Sequence, residues 1–290
     1  MEPSPCRDHA TVMRKNIVPL CLPLLVPCLF FLLWECAATA VANDLILPPL
    51  EQIAALLAHP WETIISMGTL AGNTGISMVR VLSGYTLAVL IGVPLGVLMG
   101  YYGSVFHLCN AFLGMFRPIP PLAWVPLVLA WFGVASLATI AGLPRGPIYS
   151  YCNNLKLSML FIIFIGAIFP ILTSAVHGVR TVSKTLIDSA RVLGASEKDI
   201  FLKILLPAAS PSIVNGLRIG LGVAWMCLVS AEMLPGSLSG IGYLITHAYT
   251  VGRTDVVIAG MISISAVGAL LDFGFQWIEK KKYAWKQLSR

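Results

Sequence analysis

Residue types that carry enzyme chemistry are few in this chain and stand far apart. They form neither an HExxH helix nor a Ser/His/Asp set, and no two carboxylates have the spacing of an acid/base pair. The sequence therefore predicts no catalytic residue and argues against a membrane enzyme. The available carboxylates and imidazoles are Glu35, His107, His177, Glu232 and Asp272.

Patterns typical of cofactor sites are also missing from the sequence. The seven cysteines are odd in number and have neither CxxC nor Cys/His ligand spacing, so they predict no disulfide framework and no metal site. The chain has no GxxxxGK(S/T) segment, which would supply the backbone cradle and lysine for nucleotide phosphates. We expect no cofactor in this chain, and a partner subunit must do any work that uses ATP with Mg²⁺.

The composition is that of a membrane protein. Of the 290 residues, 57% are hydrophobic and 11% are charged, whereas about 25% of the residues in an average soluble domain are charged. The net charge of +6 does not indicate a nucleic-acid partner, because Lys and Arg lie between or beyond the apolar runs rather than in one stripe. We predict an all-α, polytopic protein that has membrane lipid as a partner.

Apolar runs predict about six transmembrane helices, because each approaches the roughly 20 residues that a helix needs to cross a bilayer. The third run is short and contains several prolines, which interrupt helices. The first is too long for a cleaved signal peptide and contains Glu35, so we interpret it as a retained span. The predicted spans cover about residues 17–41, 79–100, 118–134, 157–176, 211–235 and 255–278.

Basic residues predict the orientation, because short loops rich in Lys and Arg stay in the cytoplasm. If both termini are cytoplasmic, most of the 19 Lys and Arg residues fall on the cytoplasmic side, including those of the segment 183–207. The opposite side then receives only Arg80, Arg145, Lys156 and Arg253. We therefore expect both termini and the segment 183–207 in the cytoplasm.

Two charged residues fall inside the predicted span 211–235. Arg218 and Glu232 are 14 positions apart, which is about 21 Å along a straight helix, so they cannot pair within one subunit. Because a charge inside a bilayer is costly and marks a candidate functional site, both are candidates for a translocation pathway. The alternatives stay open: Arg218 snorkels or holds span five against a neighbour, and Glu232 has no role beyond its place near a helix end.

Glycines recur at four-residue spacing in two of the spans. Gly92, Gly96 and Gly100 leave one face of the second span without side chains, and Gly216 with Gly220 do the same in the fifth. Such faces let helix backbones approach closely in lipid. We interpret both as helix-packing faces.

The charged passage before the fifth span has the pattern of two short helices. Gly194 is suited to end the first, and Ser196 with Asp199 predicts the capping box of the second, which Pro207 should stop before the membrane. Nothing in this loop covers the apolar faces, so they need a partner or pack on neighbouring helix ends. These faces contain Leu186, Ile187, Ala190 and Leu193, and then Ile200, Phe201, Ile204 and Leu205.

The same passage resembles the EAA loop of binding-protein-dependent ABC importer permeases. The family pattern is Glu-Ala-Ala, three residues, Gly, nine residues, Ile, one residue, Leu-Pro, and here Asp and Ser replace the first two. From about residue 80 to 281, segments such as RPIPPLAWVPLVLAWFG and SGIGYLI are similar to the nitrate, sulfonate, taurine and bicarbonate branch. The residues that match the loop pattern are Asp188, Ser189, Ala190, Gly194, Ile204, Leu206 and Pro207.

This resemblance implies a type I ABC importer permease fold in a bacterial plasma (inner) membrane. It also implies that the matching loop contacts a cytoplasmic ABC ATPase dimer, that an extracytoplasmic solute-binding protein delivers the solute, and that two permease copies, expected to be a homodimer, form the pathway. The expected function is import of a small anion of the nitrate, sulfonate, taurine or bicarbonate class by alternating access. The alternatives are a permease of the same fold for another small organic nutrient and an ion-coupled secondary transporter.

Three regions follow from the spans and the resemblance. Residues 1–78 contain the first span and an external segment that is either interfacial or an ordinary loop helix. Residues 79–281 contain the permease core, with the coupling loop at about 183–207, and residues 282–290 form a cytoplasmic tail. The external connection 134–156 is longer than is usual in the family, and it either contacts the binding protein or is an insertion without function.

Overall fold

Helices account for all regular structure in the described part of the chain. The only extended contacts there are two isolated β-bridges, between Thr63 and Thr69 and between Ser136 and Lys156. The predicted all-α class is therefore confirmed. The computed structural model describes residues 9–64, 67–133, 135–142, 144, 146, 149, 152–234 and 236–283, and side chains from residue 25 onward.

The helices are numbered in chain order. They are α1 (His9–Val41), α2 (Leu50–Ala58), α3 (Leu70–Tyr101), α4 (Gly103–Phe116), α5 (Val125–Phe132, after a 3₁₀ turn at Pro121–Trp124), α6 (Leu137–Ile140), α7 (Leu157–Arg180), α8 (Lys184–Val192), α9 (Glu197–Glu232), α10 (Ile241–Thr250) and α11 (Thr254–Lys282). We call the end of the bundle at α8 the loop end and the opposite end, at α10, the far end.

Four helices in the described residues are long and apolar enough to cross a membrane, namely α3, α7, α9 and α11. A fifth span results if α4 and the segment Pro121–Phe132, which are bent by 81°, count as one. The polytopic architecture is thus confirmed. The described apolar part of α1, Leu25–Val41, is shorter than a span, and the first predicted span otherwise falls on residues whose side chains are not described.

Two predicted span boundaries are wrong. The third span is not one straight helix over 118–134, because Pro118, Pro120 and Pro121 lack the amide hydrogens that would continue α4 and the chain turns there. The helix that contains the second predicted span begins at Leu70 rather than at 79. The Thr69 hydroxyl accepts a hydrogen bond from the Gly72 amide and so fixes the start of α3 nine residues earlier than predicted.

Glycines bring the central helices together. A Cβ built on Gly96 or on Gly100 of α3 would lie 2.6 Å from the Cβ of Ala175 or of Val179 of α7. Gly220 of α9 is equally close to α7, where an added Cβ would lie 2.7 Å from Ile171. The predicted packing faces are confirmed, and α7 lies between α3 and α9. The core there contains Val81, Tyr85, Ala88, Ile163, Ala167, Ile171, Leu221, Ala224 and Leu228.

Helix α9 runs without interruption from the loop end to the far end, which corrects the prediction that Pro207 stops a separate helix. Residues Ile200–Leu205 take the wider π-helical turn, and this relieves the clash of the Pro207 ring with the preceding turn. Pro211 has no amide hydrogen for the Pro207 carbonyl, and the Ser210 hydroxyl donates to that oxygen instead, at 2.7 Å. Both prolines are thereby accommodated inside one helix.

Candidate coupling loop and intramembrane charges

The segment that matches the EAA pattern begins with α8, and Gly194 ends that helix with φ +83°. The Gly194 amide donates to the Arg191 carbonyl and the Ala195 amide to the Ala190 carbonyl, each at 3.0 Å. This pair of bonds is the Schellman motif, whose left-handed position favours glycine. No atom lies within 4 Å of a Cβ built on Gly194. Glycine is therefore required here for its backbone conformation and not for space, and the predicted helix end is confirmed.

Ser196 caps the start of α9. Its hydroxyl accepts a hydrogen bond from the Asp199 amide at 3.2 Å and donates to the Asp199 carboxylate at 2.6 Å. The predicted cap is confirmed, and the Ser196 backbone amide also interacts with the Asp199 carboxylate, as in a capping box.

The apolar faces of this loop are mostly covered by neighbouring helix ends, which is one of the two alternatives that the sequence left open. Ala190, Ile200 and Leu205 are buried, and Leu205 packs with Val97 of α3 and Val179 of α7. The loop thus folds back on the loop ends of two spans. The large apolar side chains that stay exposed are Leu186, Val192, Leu193 and Leu202, of which Val192 and Leu193 are 87% and 86% exposed.

Polar residues of the loop bond locally. The Ser189 hydroxyl donates to the Thr185 carbonyl at 2.7 Å. Arg191 donates to Asp188 at 3.3 Å and to Glu197 at 3.0 Å. The hydrogen bond to Glu197 raises the pKa of the Arg191 guanidinium. Among the other residues that match the pattern, Ile204 and Leu206 are half-buried and Pro207 is exposed.

Arg218 joins α9 to α11 through an ion pair. Its Nε and Nη2 donate to the two carboxylate oxygens of Asp272 at 2.5 and 2.9 Å, and Glu279 lies 3.8 Å from Nη1. The pair is only partly buried within the chain, because the side chains of Arg218 and Asp272 are 30% and 46% exposed. Two carboxylates therefore face one guanidinium, and Arg218 does not bring a free positive charge.

A polar cavity of about 360 Å³ opens beside α7 and α9, toward their loop ends. Hydroxyl, amide and imidazole groups dominate its lining, and Glu279 joins it to the Arg218 ion pair. The lining residues are Thr173, Ser174, His177, Pro211, Ser212, Asn215 and Glu279.

Glu232 is 1% exposed and forms an ion pair with Arg80, which is also 1% exposed. The Arg80 Nη1 donates to the Glu232 carboxylate at 2.7 Å, as do the Ser77 hydroxyl at 2.8 Å and the Gly242 amide at 3.1 Å. Arg218 and Glu232 thus have different partners, as their spacing predicted. Glu232 reaches no open space in this conformation.

The nitrogens of Arg80 find further acceptors at the far end. Nε donates to the Asn154 carbonyl at 2.8 Å, and Nη1 and Nη2 donate to the carbonyl and hydroxyl of Ser239 at 2.7 and 2.9 Å. Nearby, the Lys156 ammonium donates to the Gly236 carbonyl. Burial, together with the positive charge of Arg80, lowers the pKa of Lys156. These bonds tie the segments before α7 and before α10 to α3.

The backbone amides at the start of α10 donate to side chains of α3 that lie beside Arg80 and Glu232. The Gly240 amide donates to the Asn73 side-chain oxygen and the Ile241 amide to the Ser77 hydroxyl, both at 2.9 Å. Gly240 has φ +109°, and a Cβ on it would overlap the Glu232 carboxylate. We call Asn73, Ser77, Arg80, Glu232 and Ser239 the far-end cluster.

Sequence reasoning singled out Glu232 but missed its partners in the far-end cluster. With a span that begins at 79, Arg80 would lie at the membrane surface. In the structure α3 begins at Leu70, so Arg80 lies inside the helix, and its side chain is buried. The glycines of the SGIG segment were the available signal, because they allow α10 to approach Glu232.

Curated relatives cover most of this chain. A Methanocaldococcus jannaschii protein, named provisionally as an ABC transporter permease, is 46% identical over 278 residues, 96% of this chain and 97% of that protein. The taurine transport system permease protein TauC of Escherichia coli is 31% identical over 253 residues, with 87% and 84% covered. The bicarbonate transport system permease protein CmpB of Synechococcus elongatus is 31% identical over 272 residues, with 92% and 91% covered.

A solved structure has the same fold. It is a chain of the MetNI methionine ABC transporter in an inward facing conformation, with a TM-score of 0.59 and 18% identity, covering 73% of this chain and 95% of that one. The predicted type I ABC importer permease fold is confirmed. The family model of the binding-protein-dependent transport system inner membrane component matches residues 92–282. The chain belongs to that family, the permease subunits of ABC importers, and it is a translocation component rather than an enzyme.

Proposed function

We propose that this chain forms the membrane pathway of an ATP-driven importer for a small anion of the taurine, sulfonate, bicarbonate or nitrate class. The relatives named for taurine and for bicarbonate each align with more than four-fifths of the chain. Because both are 31% identical to it, they support the class and do not select one solute.

The coupling loop is the observation that carries this proposal. Val192 and Leu193 are adjacent, almost fully exposed apolar side chains beside the rigid Gly194 turn, and such exposure indicates a contact with another protein. We assign that contact to a cytoplasmic ABC ATPase dimer, which binds ATP and Mg²⁺ in its own subunits. The residues assigned to the loop are Asp188, Ser189, Ala190, Gly194, Ile204, Leu206 and Pro207.

The remaining partners follow from this assignment. An extracytoplasmic solute-binding protein delivers the solute at the far end, and a second, identical permease completes the pathway. The loop end and both termini then face the cytoplasm of a bacterial inner membrane. We place the start of the permease core at Leu70, where α3 begins, and keep its end at 281, with residues 282–290 as a tail.

Arg218 is our candidate for the pathway wall. A partly exposed ion pair inside a membrane span must face water or protein and not hydrocarbon, and the polar cavity beside α7 and α9 continues the same polar surface. Glu232 is a weaker pathway candidate on these grounds, because it would have to leave Arg80 before it could contact a solute.

The proposal is tested with proteoliposomes that contain the permease, its ATPase subunits and its binding protein. We expect uptake of at least one of taurine, an alkanesulfonate, bicarbonate and nitrate. We also expect vanadate, which inhibits the ATPase, to stop this uptake and a protonophore to leave it unchanged. Uptake that survives vanadate and stops with the protonophore would contradict an ATP-driven mechanism.

Methionine, a zwitterion with a carboxylate and no sulfonate group, is the control solute for this assay. The MetNI structure shows that the fold also occurs in a methionine transporter, although it is 18% identical and supports only the fold. Uptake of methionine and of none of the anions would favour the second candidate function, a permease for another small organic nutrient.

A further inference from the structure

The far-end cluster joins three helices through an ion pair and the hydrogen bonds around it. Arg80 and Ser77 belong to α3, Glu232 ends α9, and the bonded amides begin α10. We infer that the Arg80–Glu232 pair locks α3, α9 and α10 into one rigid unit, so that a displacement of the coupling loop is delivered to α10 at the far end. This inference rests on the proposed function, in which the ATPase displaces that loop.

The first step of the inference is the continuity of α9. The helix starts in the coupling loop at Glu197 and ends at Glu232, 36 residues later, which is about 54 Å at 1.5 Å per residue. The chain stays helical throughout, with one π-helical stretch at Ile200–Leu205. A movement applied to its first turn therefore moves the residue that holds Arg80.

The second step is the close packing of α3 and α9 in the middle of the bundle, where α7 lies between them. Both helices pack against α7 at glycines, where backbones approach closely. The Tyr85 hydroxyl of α3 also donates to the Leu217 carbonyl of α9 at 2.9 Å. Close-packed interfaces of this kind transmit displacement because they have little free space.

The third step concerns α10, which carries the displacement to the surface. Its first three amides are bound by Asn73, Ser77 and Glu232, and its last turn exposes Tyr249 to 77%. If α10 moved away from α9, the buried charges of Glu232 and Arg80 would lose partners without gaining water, which is strongly unfavourable. Glu232 is therefore a positioning residue that makes α10 follow α9.

The charge and the shape of Glu232 can be separated by mutation. Glu232→Gln keeps the volume but leaves Arg80 buried without a counter-charge. Arg253→Gln is the matched control, because Arg253 pairs with Asp255 only two positions away, at 2.7 Å, and so links no two helices. Ser77→Ala is a milder variant that keeps the ion pair and removes the hydroxyl shared by Glu232 and the Ile241 amide.

The test measures the distance between spin labels at Val79 on α3 and Tyr249 on α10, both exposed. Labels are placed on one permease copy of the assembled, cysteine-free transporter, which is studied without nucleotide and after trapping with ATP and vanadate. We expect the same distance in both states for the parent protein and for Arg253→Gln. We expect the two states to differ in Glu232→Gln and, by a smaller shift, in Ser77→Ala.

The functional measurement is the amount of solute imported per ATP hydrolysed. At equal amounts of assembled complex, Glu232→Gln should hydrolyse ATP while it imports, per ATP, several-fold less of the anion that the parent complex imports, whereas a loss of folding alone would lower both activities together. If Glu232→Gln does not assemble, the same ratio is measured for Ser77→Ala.

Two results would overturn the lock: a Val79–Tyr249 distance that differs between states in the parent protein, or variants with unchanged distances. Failure of the proposed function is seen separately, as an absence of vanadate trapping or of anion uptake in the parent complex.

Discussion

The two ion pairs that bridge helices within the membrane differ in their exposure, and this decides what each can do. Removal of one partner of a buried pair such as Arg80–Glu232 costs about 3–5 kcal/mol, because the other charge stays buried. Removal of one partner of the pair Arg218–Asp272 should cost less, because both side chains are partly exposed. We therefore expect that an anion could replace the partner of Arg218 but not that of Arg80.

Arg218→Gln and Asp272→Asn distinguish a solute contact from a helix clasp. If Arg218 contacts the anion, Arg218→Gln should slow anion uptake several-fold, and Asp272→Asn should leave it equal or faster because it frees the guanidinium. Complex assembly should persist in both, given the smaller cost of removing one partner. Equal losses in both variants, with recovery in the exchanged pair Arg218→Asp with Asp272→Arg, would instead identify a clasp between α9 and α11.

At the scale of elements, the coupling loop is one short helix attached to the start of a long one. Helix α8 ends in the Gly194 turn, and α9 continues through the membrane. The turn sets the angle between them, since its two backbone hydrogen bonds leave no freedom at Gly194 and Ala195. The property to test is thus the angle between α8 and α9.

Gly194→Val should uncouple the ATPase from transport. A β-branched residue at positive φ costs about 1–2 kcal/mol, so the turn should open and re-aim α8. Gly194→Asn is the matched control, because asparagine tolerates the left-handed conformation and the space around residue 194 is open. We expect Val to lose ATPase co-purification or uptake per ATP, and Asn to keep both. Normal coupling in the Val variant would remove the turn from the mechanism.

At the scale of the whole molecule, the segment 134–156 leaves the bundle at the far end and returns to the same place. Its ends meet, since the Leu137 amide donates to the Leu155 carbonyl and the Leu157 amide to the Ala135 carbonyl, both at 3.1 Å. Much of its middle lies outside the described residues. Contact with the binding protein therefore remains a proposal for this segment.

Orientation is testable with a membrane-impermeant thiol reagent on intact cells. In a background that keeps only Cys152, we expect labelling, because the basic residues predict the far end outside. A background that keeps only Val192→Cys, at an 87% exposed site of the coupling loop, should label only after the cells are permeabilised. The native Cys6 is also predicted to be protected, but it lies outside the described residues. The reverse pattern would invert the topology.

The sequence by itself determined what depends on local pattern. Hydropathy determined the class, glycine spacing determined the close helix faces, and the loop pattern determined the Gly194 stop and the Ser196 cap, because each of these rests on neighbouring residues in one element. The family followed from the same loop motif. Local pattern was insufficient at Pro207 and Pro211, which stay inside α9 although proline disrupts an isolated helix.

Only the tertiary structure decided the partners of the charged residues. Arg80 and Glu232 are 152 positions apart, and Arg218 and Asp272 are 54 apart, so no periodicity within one helix could pair them. The same holds for the loop faces, which are covered by α3 and α7 rather than left bare. Ion pairs and burial depend on which helices pack together in space, and that is fixed by the fit of whole faces and not by the residues adjacent in sequence.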